Sequence, residues 1–346
     1  MPEALRHATA FTPTLWPDID VYFKRDLNLA LRMIDALHEM GVRVVKTAAL
    51  HDPDCCLPGG GDVQYYVPGR GQVTEPYRAV IERHVLPLPD LRRLCAYVRQ
   101  RGLDLVLSVY DPVGIALAQE FDAIAIKIPS SNIVHAPLIR EAAACARRLV
   151  LDTGRSTQTE IDRAVSWAQQ AGARDLLIQH SPPGPPAPAR DHHLSMMPAL
   201  ALRYGVSCGL SDHFAGLDML PLAVALGAQV IEKGVCPDGA RADIDLAHAM
   251  PLSQVPEALR LIQQANDCLG SPDLNHREGR SRAPDRMGLV AARQLHTGEC
   301  VDRSNVRFAF PTVGLPVETW DEVVGRTLVQ NVAPNEPLQL YHLAPP

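Results

Sequence analysis

The sequence lacks any run of about eighteen consecutive apolar residues, which excludes a transmembrane helix of ordinary length. It lacks a CxxC pair: the eight cysteines are scattered and only Cys55 and Cys56 are adjacent, a spacing that suits neither a zinc ribbon nor a secreted disulfide framework. Reduced thiols are therefore expected. There is no excess of positive charge either. The formal net charge is -6, where a dedicated nucleic-acid binder would show a basic stripe. The N-terminal segment MPEALRHATAFTPTLWPDID places prolines and acids where a signal peptide needs a continuous apolar stretch. These absences together lead us to expect a cytoplasmic protein with neither a nucleic acid nor a membrane as partner.

What is present is a chain of 346 residues, long enough for one large domain and one small one, whose 47% hydrophobic and 21% charged residues are those of a globular protein. Short β-branched runs alternate with longer amphipathic stretches, the pattern of parallel β/α units. Strands are expected at 42–46, 104–108, 123–128, 149–152, 175–180, 206–211 and 230–235, with a first strand near 20–23. Helical stretches such as 29–40 and 159–171 end at Gly41 and Gly172, each placed as a helix stop. Eight units favour a closed (β/α)8 barrel over residues 1–270, although pattern alone leaves an open sheet available. A Gly- and Pro-rich insertion over 51–88 follows the second strand, where barrel insertions often contribute to the site or its lid. The segment SPPGPPAPARDHH after strand six reads as a stiff surface loop. The polar run 271–284 reads as a linker, and residues 285–346, with short strands broken by Gly and Pro, as a compact β-rich module.

In a barrel, residues at the C-terminal ends of the strands face the active-site mouth. Those positions hold Lys46, Tyr110 with Asp111, Lys127 with Ser130, Asp152 with Thr153, and His180. They continue with Ser211, Asp212 and His213, then Lys233. Several lysines in one mouth suit a small anionic ligand bearing phosphate or carboxylate. Internal pairing, Lys233 with Glu232 or Lys127 with Asp152, is the competing explanation. Asp245 follows strand eight as a candidate base, and Cys236 is either a soft metal ligand or a small buried side chain.

The segments VVKTAAL, KIPSSNIVHAPLI, LVLDTG, GLSDH, AVALGAQVIEKG and DIDLAHAMPL occur in an order that resembles sialic acid synthases. The tail VAARQLHTGECVDRSNVRFAFPTVGLP with VGRTLVQNVAPNEPL resembles that family's antifreeze-like (SAF) domain. The resemblance implies a barrel whose C-terminal domain caps the partner's active site in a domain-swapped homodimer. It also implies condensation of phosphoenolpyruvate with an N-acetylated hexosamine, aided by a divalent metal, Mn or Mg. Lys46, Lys127 and Ser130 match the family's phosphoenolpyruvate-binding residues, His213 one of two metal histidines, and Asp245 an acid near the metal.

Other ligand-facing positions depart from the family pattern. Gly234 stands where the second metal histidine is expected, Ala48 for a glutamine, Asn132 for an acid, Asp152 for a serine and Phe310 for an arginine. The Asn and Tyr of the loop after strand six are lost within SPPGPP, and the N-terminal acid is expected to be lost near Lys24. His180 or Cys236 would have to complete a metal site, which is otherwise empty. Three functions follow as expectations: a synthase-type transferase with an altered acceptor, a different barrel enzyme such as an aldolase or lyase using a Schiff-base lysine, or a relative that binds ligand without catalysis.

Overall fold

The computed structural model describes residues 13–67, 70–182, 184, 186–240, 247–270 and 285–345. The chain divides into two compact units, residues 1–270 and 271–346. The linker expected at 271–284 lies outside the described residues.

The first unit is a closed parallel barrel. Its strands begin with β1 (Thr14–Asp18) and β2 (Val44–Ala48). After a hairpin of β3 (Asp62–Val67) and β4 (Gly71–Pro76) come β5 (Asp104–Ser108), β6 (Ala125–Ile128) and β7 (Leu149–Asp152). They end with β8 (Leu176–His180), β9 (Ser207–Asp212) and β10 (Val230–Cys236). The barrel order is β1-β2-β5-β6-β7-β8-β9-β10, and β1 pairs with β10 to close it. A short β11 (Met250–Pro251) adds to the end of β10. These strands are buried almost throughout, as expected when side chains pack both inward and against a helical ring.

The helices that follow the strands are α1 (Leu27–Glu39), α2 (Tyr77–His84), α3 (Leu88–Gln100), α4 (Pro112–Glu120), α5 (Ala136–Cys145), α6 (Gln158–Gln170), α7 (Met196–Tyr204), α8 (Met219–Ala225) and α9 (Val255–Leu269). Local sequence sets several of their starts: Asp26 caps α1 by accepting from Leu29 N, and Thr157 with Glu160 forms a capping box on α6. None of the described helices is long and apolar enough to cross a membrane.

One sequence expectation needs correction here. The first strand lies at Thr14–Asp18, and Asp20–Phe23 is a 3-10 helix. The Asp18 side chain accepts from Asp20 N at 3.0 Å, a local bond that turns the chain off the strand. The insertion after β2 holds an antiparallel hairpin followed by α2. Glu75 fastens it, accepting from Arg83 at 2.5 and 2.7 Å and from the Tyr65 hydroxyl at 2.5 Å.

In the second unit β12 (Gly288–Ala291) runs antiparallel to β13 (Val306–Ala309), and isolated bridges such as Leu295↔Val332 and Leu328↔Leu343 complete a β-rich module. A short α10 (Trp320–Val323) covers one side. The module has its own core, including Leu289, Val301, Val306, Val332 and Leu338.

Candidate active site

Side chains alternate along a strand, so every second residue enters the barrel. One interior layer is apolar: Trp16, Val44, Val106, Ala125, Val150, Leu177 and Val230 form a cluster separate from the large outer core. Two residues further along each strand, the same phase delivers Asp18, Lys46, Ser108, Lys127, Asp152, Gln179 and Glu232, with Ser211 two residues beyond Gly209. The C-terminal mouth is thus floored by a ring of polar side chains resting on an apolar plug.

The ring is organised around two ammonium groups. Lys127 Nζ lies 2.6 Å from Glu232 Oε1 and 2.7 Å from Asp152 Oδ2. Lys46 Nζ lies 2.7 Å from Asp18 Oδ2 and 4.0 Å from Asp20 Oδ2. Ser211 donates to Glu232 Oε1 at 3.1 Å. Burial works against both ammoniums, but Asp18 and Glu232 around Lys46, and Asp152 and Glu232 around Lys127, more than offset it and hold both pKa values above the ordinary lysine value. Charged ammoniums are not nucleophiles, which weighs against a Schiff-base lysine at either position. Burial also lifts Asp18, with Lys46 opposing. On Glu232 burial is outweighed by Lys127 and Lys46, leaving its pKa at about 2.

The sign for Glu232 sets a pH dependence. Its folded pKa lies below the usual 4.5. Its stabilisation is therefore fully present above about pH 4.5 and is lost as pH falls through about 2. Acid titration followed by circular dichroism is expected to show Glu232→Gln losing less stability than wild type across that window. Parallel curves would contradict this role.

The same alternation removes three expected residues from the mouth. Asp212, Lys233 and His180 are on the opposite phase from Ser211, Glu232 and Gln179. Lys233 is fully buried and bonds Asp212 Oδ2 at 2.8 Å, together with the Phe214 carbonyl, so it is neither a ligand-binding group nor the partner of Glu232. His180 Nε2 is engaged with the His192 carbonyl oxygen at 2.6 Å, and burial lowers its pKa. It supports the next loop and is not placed as a metal ligand. That loop is also not a simple surface loop. Ser181, Ala187 and His192 are buried, and His192 Nε2 meets Asp212 Oδ1 at 3.3 Å.

The remaining expected residues fall as follows. Ser130 packs against Gly154, where a Cβ would come within 2.3 Å of Ser130 Cβ, so the turn after β7 needs glycine to admit it. Thr153 is buried and its hydroxyl accepts from Ser181 N at 3.4 Å. Asn132 is half-buried in a 3-10 turn after β6. Half-buried Tyr110 has its pKa raised, by burial first and then by Asp20. Asp111 caps α4 and pairs with His51 at 2.9 Å. Ala48 ends β2. Asp245 lies outside the described residues. Phe310 belongs to the second unit, where it is exposed. All eight cysteines are free, and burial pushes the Cys236 thiol up to about 11, which leaves it a packed thiol and not a thiolate ligand.

The metal question turns on His213 and on a residue the sequence reading passed over. The rings of His213 and His248 have centroids 4.7 Å apart. Nδ1 of each is buried without a hydrogen-bond partner, and His248 Nε2 is 3.4 Å from the Tyr22 hydroxyl. Burial lowers both pKa values, keeping the imidazoles neutral, the form that binds metals. At Gly234 a Cβ would stand 2.2 Å from the Tyr22 oxygen, so a side chain fits there only if Tyr22 moves. Among the described residues no group of three or more His, Cys, Asp or Glu is arranged to hold an ion. The protein donors that could face a divalent cation are two imidazoles, His213 and His248, and its other positions would fall to water or ligand.

Asp18, Glu232 and His248 are thus the residues of this candidate site that sequence reasoning missed. Strand phase would have found the first two, since Asp18 and Glu232 lie in step with the interior Trp16 and Val230. Nothing local marks His248.

A closed (β/α)8 barrel with a charged polar mouth, followed by a separate small β module, sets the class of the protein. The chain belongs to the NeuB family, whose model matches residues 33–273, and a SAF domain matches 286–344. It is 25% identical over 328 residues to the pseudaminic acid synthase of Helicobacter pylori, covering 94% of this chain and 96% of that protein. It is 24% identical over 315 residues to the N,N'-diacetyllegionaminic acid synthase of Campylobacter jejuni, covering 90% and 94%. In fold it is similar to a putative spore coat polysaccharide biosynthesis protein E from Chromobacterium violaceum, with a TM-score of 0.75, 24% identity, and coverage of 96% of this chain and 100% of that one.

Proposed function

We propose that the protein is a carbon–carbon bond-forming synthase of the NeuB type, condensing phosphoenolpyruvate with a sugar or other carbonyl acceptor through an altered site. The observation that carries this reading is the pair of buried ammoniums, Lys46 and Lys127, held charged in the barrel mouth by Asp18, Asp152 and Glu232. In this reading they receive an anionic donor. A divalent cation at His213 would supply polarisation of the acceptor carbonyl. Acceptor-dependent phosphate release from phosphoenolpyruvate, tested with manganese and a panel of N-acetylated hexosamines, is the direct assay. Binding of phosphoenolpyruvate with no release for any acceptor would favour a ligand-binding protein without catalysis.

Asp152 modifies the donor end of the site. Its carboxylate already occupies one side of Lys127 and repels an incoming phosphate by about 1 kcal/mol or more. Asp152→Ser is expected to tighten phosphoenolpyruvate binding about fivefold or more by calorimetry. Unchanged or weaker binding in the folded variant would remove Asp152 from this role.

The SAF module completes the reading as the cover over a second copy's barrel, with Phe310 in place of an arginine fork and so a less polar acceptor. A homodimer mass by light scattering at micromolar concentration is expected; a monomer would count against the cover.

A further inference from the structure

We propose that His248 is a cation ligand of this chain, and that it replaces, from the segment after β10, the donor that position 234 cannot supply. This deepens the synthase reading and rests on it only for the use made of the cation. Three features of the structure converge. First, the place of a side chain at 234 is taken by Tyr22, whose oxygen is 2.2 Å from where a Cβ would be. The lost position is therefore filled and not merely vacant.

Second, the same Tyr22 hydroxyl meets His248 Nε2 at 3.4 Å, while His248 Nδ1 is buried with no partner. A metal-bound histidine is commonly oriented by a polar contact to its other nitrogen, and Tyr22 stands in that role. A buried imidazole nitrogen with no partner is otherwise a net cost, which a bound ion removes.

Third, His213 Nδ1 is likewise buried and unpartnered, and the two ring centres are 4.7 Å apart. Two imidazoles sharing one ion at a near-right angle, with metal–nitrogen bonds of about 2.1 Å, place their centres about 4.5–5 Å apart.

Manganese alone is the probe, followed by loss of the free-ion paramagnetic resonance signal on titration with the full-length protein. Wild type is expected to bind one ion per chain. His248→Gln and His213→Gln are each expected to weaken binding about 10- to 100-fold, and Tyr22→Phe by up to about tenfold. Gly234→His is expected to bring no gain, because it collides with Tyr22. Thermal melts of each variant separate ligand loss from unfolding, and Tyr22→Phe reports on orientation without removing a donor. No binding by wild type, binding unchanged in folded His248→Gln, or tight binding created by Gly234→His alone would each overturn the assignment. The readout is independent of turnover, so failure of the synthase assay leaves this result standing, and the reverse also holds.

Discussion

Lys127→Ala is expected to lower the unfolding free energy of the barrel by about 3–5 kcal/mol, the cost of stripping one partner from a buried ion pair. Sequence alone suggests a simpler outcome, in which alanine at Lys46 or Lys127 abolishes anion binding and leaves the fold intact. The structure revises that for Lys127, because its ammonium is the shared counterion of Asp152 and Glu232, at 2.7 and 2.6 Å, all three buried. Removing it leaves two adjacent carboxylates in a dry mouth facing each other. Urea denaturation, read by the fluorescence of buried Trp16, measures the loss. Adding Asp152→Asn and Glu232→Gln to Lys127→Met should recover most of it, since an uncharged cluster needs no counterion. A midpoint for Lys127→Ala within error of wild type would show that the three charges are not coupled.

A second large loss is expected from Asp212→Ala, again about 3–5 kcal/mol. Here the stranded charge is Lys233, which is fully buried with Nζ 2.8 Å from Asp212 Oδ2. Asp212 does more than neutralise it. The other oxygen accepts from Phe214 N at 2.9 Å and meets His192 Nε2 at 3.3 Å, so one carboxylate ties the loop after β9 to the loop after β8. Ala187 N also donates to the His213 carbonyl at 3.0 Å, which links the same two loops. Loosening them should raise protease sensitivity between His180 and His193 as well as lower the melting temperature. Pairing Asp212→Ala with Lys233→Met should restore stability while leaving the loop sensitive. If the double variant is as unstable as the single one, buried charge is not the reason.

The two lysine pairs illustrate how far the sequence could be read. Lys127 was legible as a strand-end residue, and Asp152 as its partner, because both are set by position along neighbouring strands. Glu232 is 105 positions from Lys127, and it reaches that lysine only because the barrel closes through β1 and β10. Assigning Glu232 to its chain neighbour Lys233 ignored the pleat, which sends successive side chains to opposite faces. The same omission put His180 and Lys233 in the mouth. The Pro-rich loop was misread for a different reason: composition describes its stiffness, but His192 is drawn inward by a carboxylate on another strand.

What the sequence by itself determined is therefore the local part: the alternation of strands and helices, the β-rich tail, and which residues stand near most strand ends. Burial patterns, caps and glycine stops depend on neighbours within a few residues, so they can be read in order along the chain. Only the tertiary structure decided who meets whom across the mouth. The pairing of Lys46 with Asp18, the filling of the space beside Gly234 by Tyr22, and the approach of His248 to His213 all depend on strand register and barrel closure. Those follow from packing the whole chain at once, where a shift of one residue in any strand would exchange inward and outward faces and assemble a different site.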